Sequence, residues 1–155
     1  MLINKKILIT GIANKFSIAN GIAQSMSKNG AELAFLYQNE RLLKKIKPIA
    51  DNLGVKTLIE CDVACDKSIE QTFSQLKDEW GTLDGIVHSI GFAPSDQLDG
   101  DFTEVTTREG FQIAHDISSY SFTALAKGAL PILSENAALL TLTYLGSIQS
   151  LPNYN

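Results

Sequence analysis

Cysteine is scarce in this sequence, with two residues, Cys61 and Cys65, among 155. Two cysteines cannot form a disulfide framework, and no second Cys/His pair accompanies their CDVAC spacing. Zinc sites need such a second pair, so the sequence predicts no metal site. Cys61 closes an apolar run and is expected to be a small buried hydrophobe.

The chain also lacks an excess of positive charge and a long apolar run. Its 13 Lys and Arg residues against 17 Asp and Glu residues give a formal charge of −4. Nucleic-acid binding would require a net basic face, so nucleic acid is not expected as a partner. No apolar run approaches the ~18 residues that a membrane span requires, and no signal peptide is recognisable. We therefore expect a cytoplasmic protein without a membrane partner.

The first pattern that is present is a strand, a glycine and a helix. The apolar run at 7–10 is typical of a strand buried on both faces, and Gly11 follows it at once. An apolar stripe is predicted on the helix from Ile18, Ala19, Ile22, Ala23 and Met26. This is the first half of a nucleotide-binding βαβ unit, in which phosphate lies at a helix N-terminus. The three-glycine fingerprint and the Walker loop are absent, so the spacing leaves a dinucleotide site and an ordinary turn, with Ser17 as N-cap, equally open.

Strands and helices alternate along the rest of the chain. Further strands are predicted at 31–37, 56–61, 83–90 and 137–145, and further helices at 39–53, 66–80 and about 107–133. Pro48 is expected to kink or shorten the helix at 39–53, and Asp66 to cap the next one. Residues 95–103 and 146–155 are predicted to be loops. The pattern indicates an α/β fold, a Rossmann-like doubly wound parallel sheet in one domain over residues 1–155.

The end of the chain does not complete this pattern. A fifth strand would expose Leu140, Leu142 and Tyr144, and too few residues follow to form a covering helix. Either a partner covers this face or the chain is part of a longer one. We expect the second, with C-terminal strands and helices missing and the dinucleotide-binding domain incomplete.

Eight short motifs in the sequence point to one protein family. They are Gly11…Ser17-Ile18-Ala19, Tyr37-Gln38-Asn39, Cys61-Asp62-Val63-Ala64, His88-Ser89-Ile90-Gly91-Phe92-Ala93-Pro94, Thr107-Arg108-Glu109-Gly110-Phe111, His115-Asp116-Ile117-Ser118-Ser119-Tyr120-Ser121, Leu140-Thr141-Leu142-Thr143-Tyr144-Leu145-Gly146 and Pro152-Asn153-Tyr154-Asn155. Over nearly its whole length the chain resembles the bacterial enoyl-acyl-carrier-protein reductases of the short-chain dehydrogenase/reductase superfamily. The resemblance implies reduction of a trans-2-enoyl thioester on acyl carrier protein by hydride from NADH.

The resemblance also implies roles for individual residues. Gly11, Ala13, Ser17 and Ile18 would surround the pyrophosphate and nearby ribose, Asp62 and Val63 the adenine, and Ile90 and Gly91 the nicotinamide ribose. Ala93 would lie at the substrate pocket, Tyr154 would donate a hydrogen bond to the enolate oxygen, and Tyr144 would line the same pocket. On sequence alone, Tyr144 also fits a core or rim position, Tyr154 a turn, and Asp62 a cap.

Gln38 bears on the choice of cofactor. A carboxylate at the end of the second strand would favour NAD, whereas Gln38 is neutral and Arg41 lies nearby. The residues alone leave NADH and NADPH open, and the resemblance favours NADH.

The resemblance also implies a homotetramer and a lysine seven residues after Tyr154, beyond Asn155. Without that lysine, the 155-residue chain is expected to be inactive alone. Two alternatives stay open: another short-chain dehydrogenase, and a non-catalytic module that binds cofactor or associates with itself.

Overall fold

The computed structural model describes residues 2–149 and contains one sheet of five parallel strands. The strands are β1 (Lys6–Ile9), β2 (Glu32–Tyr37), β3 (Thr57–Glu60), β4 (Leu83–His88) and β5 (Leu133–Thr141). They lie in the order β3-β2-β1-β4-β5. The order therefore reverses between β1 and β4, where the chain moves from one half of the sheet to the other.

Helices cover both faces of the sheet. They are α1 (Ile18–Lys28), α2 (Glu40–Leu53), α3 (Asp66–Trp80), α4 (Phe102–Val105), α5 (Arg108–His115) and α6 (Ser121–Ala129), with a π-helical turn, Asp116–Tyr120, between α5 and α6. Ile7 and Ile9 pack in one apolar cluster with residues of α1 and α2. Leu8, which points to the opposite face, packs in a second cluster with residues of α3 and α6. This confirms the predicted doubly wound, Rossmann-like fold.

The first 81 residues follow the sequence prediction closely, with differences at helix starts. Ile18 is 69% exposed, so its placement on the apolar stripe is wrong. The buried positions of α1 are Ala19, Asn20 and Ala23, which face the sheet. Asp66 is the first residue of α3 rather than its cap, because Cys65 occupies the N-cap position.

Pro48, which was expected to kink or shorten its helix, does not shorten it. The helix α2 runs past Pro48 to Leu53 and ends at Gly54, whose φ of 69° suits glycine. The Asn39 side chain caps its start by accepting from the Leu42 N–H. Ile46 and Ala50 are fully buried on either side of the proline, so packing holds both halves of the helix.

The fifth strand lies four residues earlier than predicted. β5 covers Leu133–Thr141, not 137–145, and its polar start is accommodated because the Ser134 hydroxyl donates to Asp84 on β4. β4 ends at His88, whose carbonyl accepts from Leu142 N–H as the last backbone contact with β5. Beyond this point β4 offers no further strand partner, so Tyr144 lies in a loop. Leu140, on the strand, is 47% exposed as expected for an edge strand.

The segment between β4 and β5 is more ordered than predicted. The expected loop at 95–103 contains a 3₁₀ turn, Ser95–Gln97, and the start of α4. Gln97 is buried, and its side-chain oxygen accepts from the Thr107 N–H. The long helix predicted from about 107 is present but changes to π geometry at Asp116–Tyr120. Within residues 2–149, the structure has no helix long and apolar enough to cross a lipid bilayer.

Candidate functional site

A cleft of about 260 Å³ opens at the carboxyl ends of β1, β2, β3 and β4. Its lining residues come from the end of β2, the loops that follow these strands, the start of α2 and the π-helical turn. They are Thr10, Gly11, Ile12, Ala13, Leu36, Tyr37, Gln38, Leu42, Cys61, Val63, Ser89, Ile90, Gly91, Phe92 and Ile117. The cleft includes the point where the strand order reverses, which is where open α/β sheets bind ligands.

The loops after β1 and β4 are joined at the base of the cleft. The Thr10 hydroxyl donates to the Val87 carbonyl and accepts from the Ser89 N–H, at 3.2 Å in each case. Gly11 has a φ of +80°, and a Cβ at this position would collide with the Ser89 carbonyl. Glycine is therefore required here for two reasons, its backbone conformation and the close approach of the two loops.

The loop between Gly11 and α1 is held by its own side chains. Ser17 Oγ accepts from the Ala13 and Asn14 N–H groups at 3.0 Å each, so it stabilises this loop and not the helix. The Asn20 amide donates to the Lys15 carbonyl at 2.9 Å. No side chain caps α1 at Ser17, and the first turn of the helix has no acidic residue. The positive end of the helix dipole therefore suits an anionic group such as a phosphate.

The loops after β2 and β3 form the opposite end of the cleft. Burial, and then the carboxylates of Glu60 and Glu40, raise the pKa of Tyr37. Burial is also the main cause of the raised pKa of the Cys61 thiol, so both groups are neutral at pH 7. Gln38 adds an exposed, uncharged side chain to the rim. This end of the cleft is therefore lined by neutral groups.

Asp62 belongs to a turn beside this end. Its carboxylate accepts from the Ala64 N–H at 3.1 Å, and its own N–H donates to Ser68 Oγ at 3.0 Å. The turn directs Val63 into the cleft and packs it against the core. The Asp62 side chain itself is used as a turn cap.

The wall after β4 consists of Ile90, Gly91 and Phe92. The π-helical turn lies beside it, with Ile117 in the cleft and Ser118 hydrogen-bonded to both backbone groups of Phe92 at 2.9 Å. π-helical turns are rare and are frequent at functional sites.

A buried histidine at the end of β4 supports this wall from the protein interior. His88 is 1% exposed, and its Nε2 and Nδ1 lie 2.8 Å from Ser121 Oγ and 3.1 Å from Thr141 Oγ1. The Ser121 hydroxyl donates to the Ile117 carbonyl at 2.6 Å, so it must accept from a protonated Nε2. Nδ1 then accepts from Thr141, and burial lowers the pKa of the imidazole. His88 is therefore neutral and joins β4, β5 and the start of α6.

The structure brings most of the proposed site residues together. Gly11, Ala13, Gln38, Val63, Ile90 and Gly91 line one cleft. Ser17, Ile18, Asp62 and Ala93 lie in the loops and helix start beside it, outside its lining. Tyr144 is 54% exposed beyond β5 and does not line the cleft, and Tyr154 lies outside the described residues.

Sequence reasoning did not identify several lining residues. Tyr37, Cys61 and Phe92 stand at or near strand ends, Leu42 is in the first turn of α2, and Ile117 is in the π-helical turn. The one available signal was the unusual run of small polar residues at 115–121. Within this run, Ser118 bonds to Phe92 and Ser121 to His88.

Comparison with known proteins shows which family model and which relatives the chain matches. Residues 11–155 match the family model described as "Enoyl-(Acyl carrier protein) reductase". The chain is 56% identical over 154 residues to the enoyl-[acyl-carrier-protein] reductase [NADH] FabI of Escherichia coli (strain K12), and 52% identical to that of Haemophilus influenzae. In both comparisons the match covers 99% of this chain and 59% of the relative.

Solved structures agree with the sequence comparison. The enoyl-[acyl-carrier-protein] reductase (NADH) from Aquifex aeolicus superposes with a TM-score of 0.95 at 44% identity, covering 99% of this chain and 61% of that one. An enoyl-(acyl-carrier-protein) reductase from Anaplasma phagocytophilum in complex with NAD gives 0.94 at 38% identity, covering 99% and 59%. The chain thus spans about three fifths of the length of these proteins.

Proposed function

Because the chain belongs to the enoyl-(acyl-carrier-protein) reductase family, we propose that it is the dinucleotide-binding part of such an enzyme. The reaction proposed for the whole protein is reduction of a trans-2-enoyl thioester, carried on acyl carrier protein, to the saturated thioester. The observation that carries the proposal is the cleft at the strand reversal, lined by residues of all four strand ends. The proposed unit is one incomplete domain over residues 1–155.

The residues around the cleft fit a dinucleotide. We assign the pyrophosphate and its neighbouring ribose to Gly11, Ala13, Ser17 and Ile18. The uncapped start of α1 supports this assignment, since it presents positive potential without a competing carboxylate. The neutral end of the cleft, with Gln38, Val63 and the Asp62 turn, suits the adenine and its ribose. Ile90 and Gly91 would border the nicotinamide ribose.

When bound, the cofactor supplies the hydride that the β-carbon of the enoyl group accepts. The chain would hold the nicotinamide ring against the wall after β4 and keep water from the ring. The apolar groups of Ile90, Phe92 and Ile117 can do both. Ala93, directly after this wall, is assigned to the substrate pocket. Tyr154 is assigned as hydrogen-bond donor to the thioester oxygen as that oxygen gains negative charge, and Tyr144 is assigned to the lining of the substrate pocket.

NADH is the proposed cofactor. The relatives from E. coli and H. influenzae carry NADH in their names, and the neighbour from A. phagocytophilum was solved with NAD. Gln38 can donate to a ribose hydroxyl but supplies no positive charge for a 2′-phosphate. A homotetramer and a cytoplasmic location are proposed for the whole protein by the same relationship.

The test is a titration of the chain with NADH and, in parallel, with NADPH, followed by the fluorescence of the reduced nicotinamide. Saturable binding that is tighter for NADH supports the proposal. Equal or tighter binding of NADPH contradicts the choice of cofactor, and lack of binding to both contradicts the dinucleotide site. Matched titrations of a Gly11→Ala variant show whether the signal comes from this cleft.

A second candidate function is self-association, which the exposed apolar residues near β5 favour. Leu140, Leu145 and Ile148 are 47%, 63% and 77% exposed. Light scattering across a concentration series tests this candidate. A mass that stays at the 16.9 kDa of one chain contradicts it.

A further inference from the structure

The hydroxyl of Ser118 bonds to both backbone polar groups of one residue in the cleft wall, Phe92. It donates to the Phe92 carbonyl and accepts from the Phe92 N–H, at 2.9 Å in each case. These two bonds, called here the Ser118–Phe92 clamp, join the π-helical turn to the loop after β4. A hydroxyl has one hydrogen to donate and lone pairs to accept, so both bonds can exist at once.

The part of the wall that the clamp holds, Gly91 and Phe92, is exposed to solvent. A Cβ built at Gly91 would have no atom within 4 Å apart from its chain neighbours, so the wall borders open space at this point. The Phe92 side chain is 50% exposed. A segment with few packing contacts and an exposed backbone has low local stability, and individual hydrogen bonds then decide its position.

The π-helical geometry explains how Ser118 reaches this wall. An additional residue in the turn between α5 and α6 changes the direction of the side chains that follow it. Ile117 then lines the cleft, Ser118 meets Phe92, and Ser121 meets His88 at 2.8 Å. Two serines of one helical segment therefore contact the chain at 88 and 92, on either side of Ile90 and Gly91.

We propose that Ser118 is a positioning residue for dinucleotide binding, which acts by fixing the Phe92 backbone and with it the Ile90–Gly91 wall. The inference rests on the proposed function, because it assigns that wall to the nicotinamide side of the cofactor. Ser118 itself does not line the cleft and is not assigned a contact with the cofactor.

The test combines cofactor binding with exchange of the Phe92 amide hydrogen. In the Ser118→Ala variant both bonds of the clamp are lost, and we expect faster Phe92 exchange and an NADH dissociation constant raised about fivefold. Ser118→Thr keeps the hydroxyl and should restore both values to within about twofold. Ser119→Ala, on the exposed side of the same turn, is the matched control and should change neither.

The variants are expected to remain folded, because water can replace the hydroxyl at the half-exposed Phe92, and thermal unfolding verifies this. Unchanged Phe92 exchange in Ser118→Ala would overturn the clamp. Faster exchange with unchanged NADH affinity would overturn the positioning role, as would Ser118→Thr behaving like Ser118→Ala. If the unaltered chain binds no NADH, the proposed function fails and the positioning role fails with it. NADH binding by the unaltered chain therefore tests the proposed function, and the change of NADH affinity in the variants tests the positioning role.

Discussion

His88 Nε2 lies 2.8 Å from Ser121 Oγ, and this contact joins the end of β4 to the helix that follows the π-helical turn. Because the serine already donates to the Ile117 carbonyl, the imidazole is the donor. The pair is buried, with His88 at 1% and Ser121 at 0% exposure. A positive charge on His88 would therefore be held in a site with little water to solvate it.

The first prediction follows from the lowered pKa of His88. Desolvation lowers it below the ordinary value of 6.5, so between the two values the unfolded chain binds the proton and the folded chain does not. The free energy of unfolding should therefore rise with pH in that window and level off above 6.5. Its slope from this group cannot exceed about 1.4 kcal/mol per pH unit.

Urea unfolding at a series of pH values measures this slope. The His88→Gln variant should lack the contribution, whereas His115→Gln, at the other histidine of the sequence, should retain it. If the free energy of unfolding depends on pH in the same way in the unaltered chain and in His88→Gln, another group causes the dependence.

The second prediction concerns Asp84, which connects three strands. Burial raises its pKa, but the Lys5 ammonium, the Lys6 N–H and the Ser134 hydroxyl outweigh burial and lower the pKa below 3.8. Its contribution to stability is therefore full above 3.8 and is lost as the pH falls through the lower pKa of the folded state.

Asp84→Asn should lower the free energy of unfolding by about 1–3 kcal/mol at neutral pH, since it weakens three hydrogen bonds at once. Denaturant unfolding at neutral and acid pH measures this, with the exposed Asp99→Asn as control. A loss that persists unchanged at pH values below the folded pKa would show that the carboxylate charge is not its cause.

The third prediction compares two glycines. Gly11→Ala should destabilise the chain by about 2–4 kcal/mol, because a Cβ there meets the Ser89 carbonyl at a φ of +80°. Gly21→Ala, in α1 with open space around it, should stabilise by about 0.5–1 kcal/mol. Thermal unfolding distinguishes them, and similar effects at the two positions would contradict the described loop.

The fourth prediction concerns the two thiols. Cys61 is 3% exposed with a raised pKa, whereas Cys65 is exposed at the start of α3. A colorimetric thiol reagent at neutral pH should therefore titrate one thiol rapidly in the folded chain and two after denaturation. Cys65→Ser should remove the rapid phase, and persistence of that phase would show that Cys61 is accessible.

The fold was predictable because its signals are local. Unalternated apolar runs identified the strands, and steps of four and three residues, as between Ile69, Phe73 and Leu76, identified α3. The start of β5 was missed because a polar residue, Ser134, is paired with a carboxylate 50 positions away. Such a partner has no signal within its own segment.

The site was predictable in outline for the same reason. Gly11, Gln38 and Val63 follow strands, and parallel strands bring their carboxyl ends together. Phe92 and Ile117 were missed because their position depends on a π-helical turn and on the Ser118–Phe92 clamp. Both are products of tertiary contacts rather than of sequence periodicity.

The central claim is that the cleft at the strand reversal binds the dinucleotide, and backbone chemical-shift mapping during an NADH titration tests it most directly. We expect saturable chemical-shift changes at the cleft residues Gly11, Ala13, Gln38, Val63, Ile90 and Gly91. The shifts of residues in the distant α2–β3 turn, such as Gly54, should not change. Absence of saturable changes, or changes concentrated away from the cleft, would contradict it.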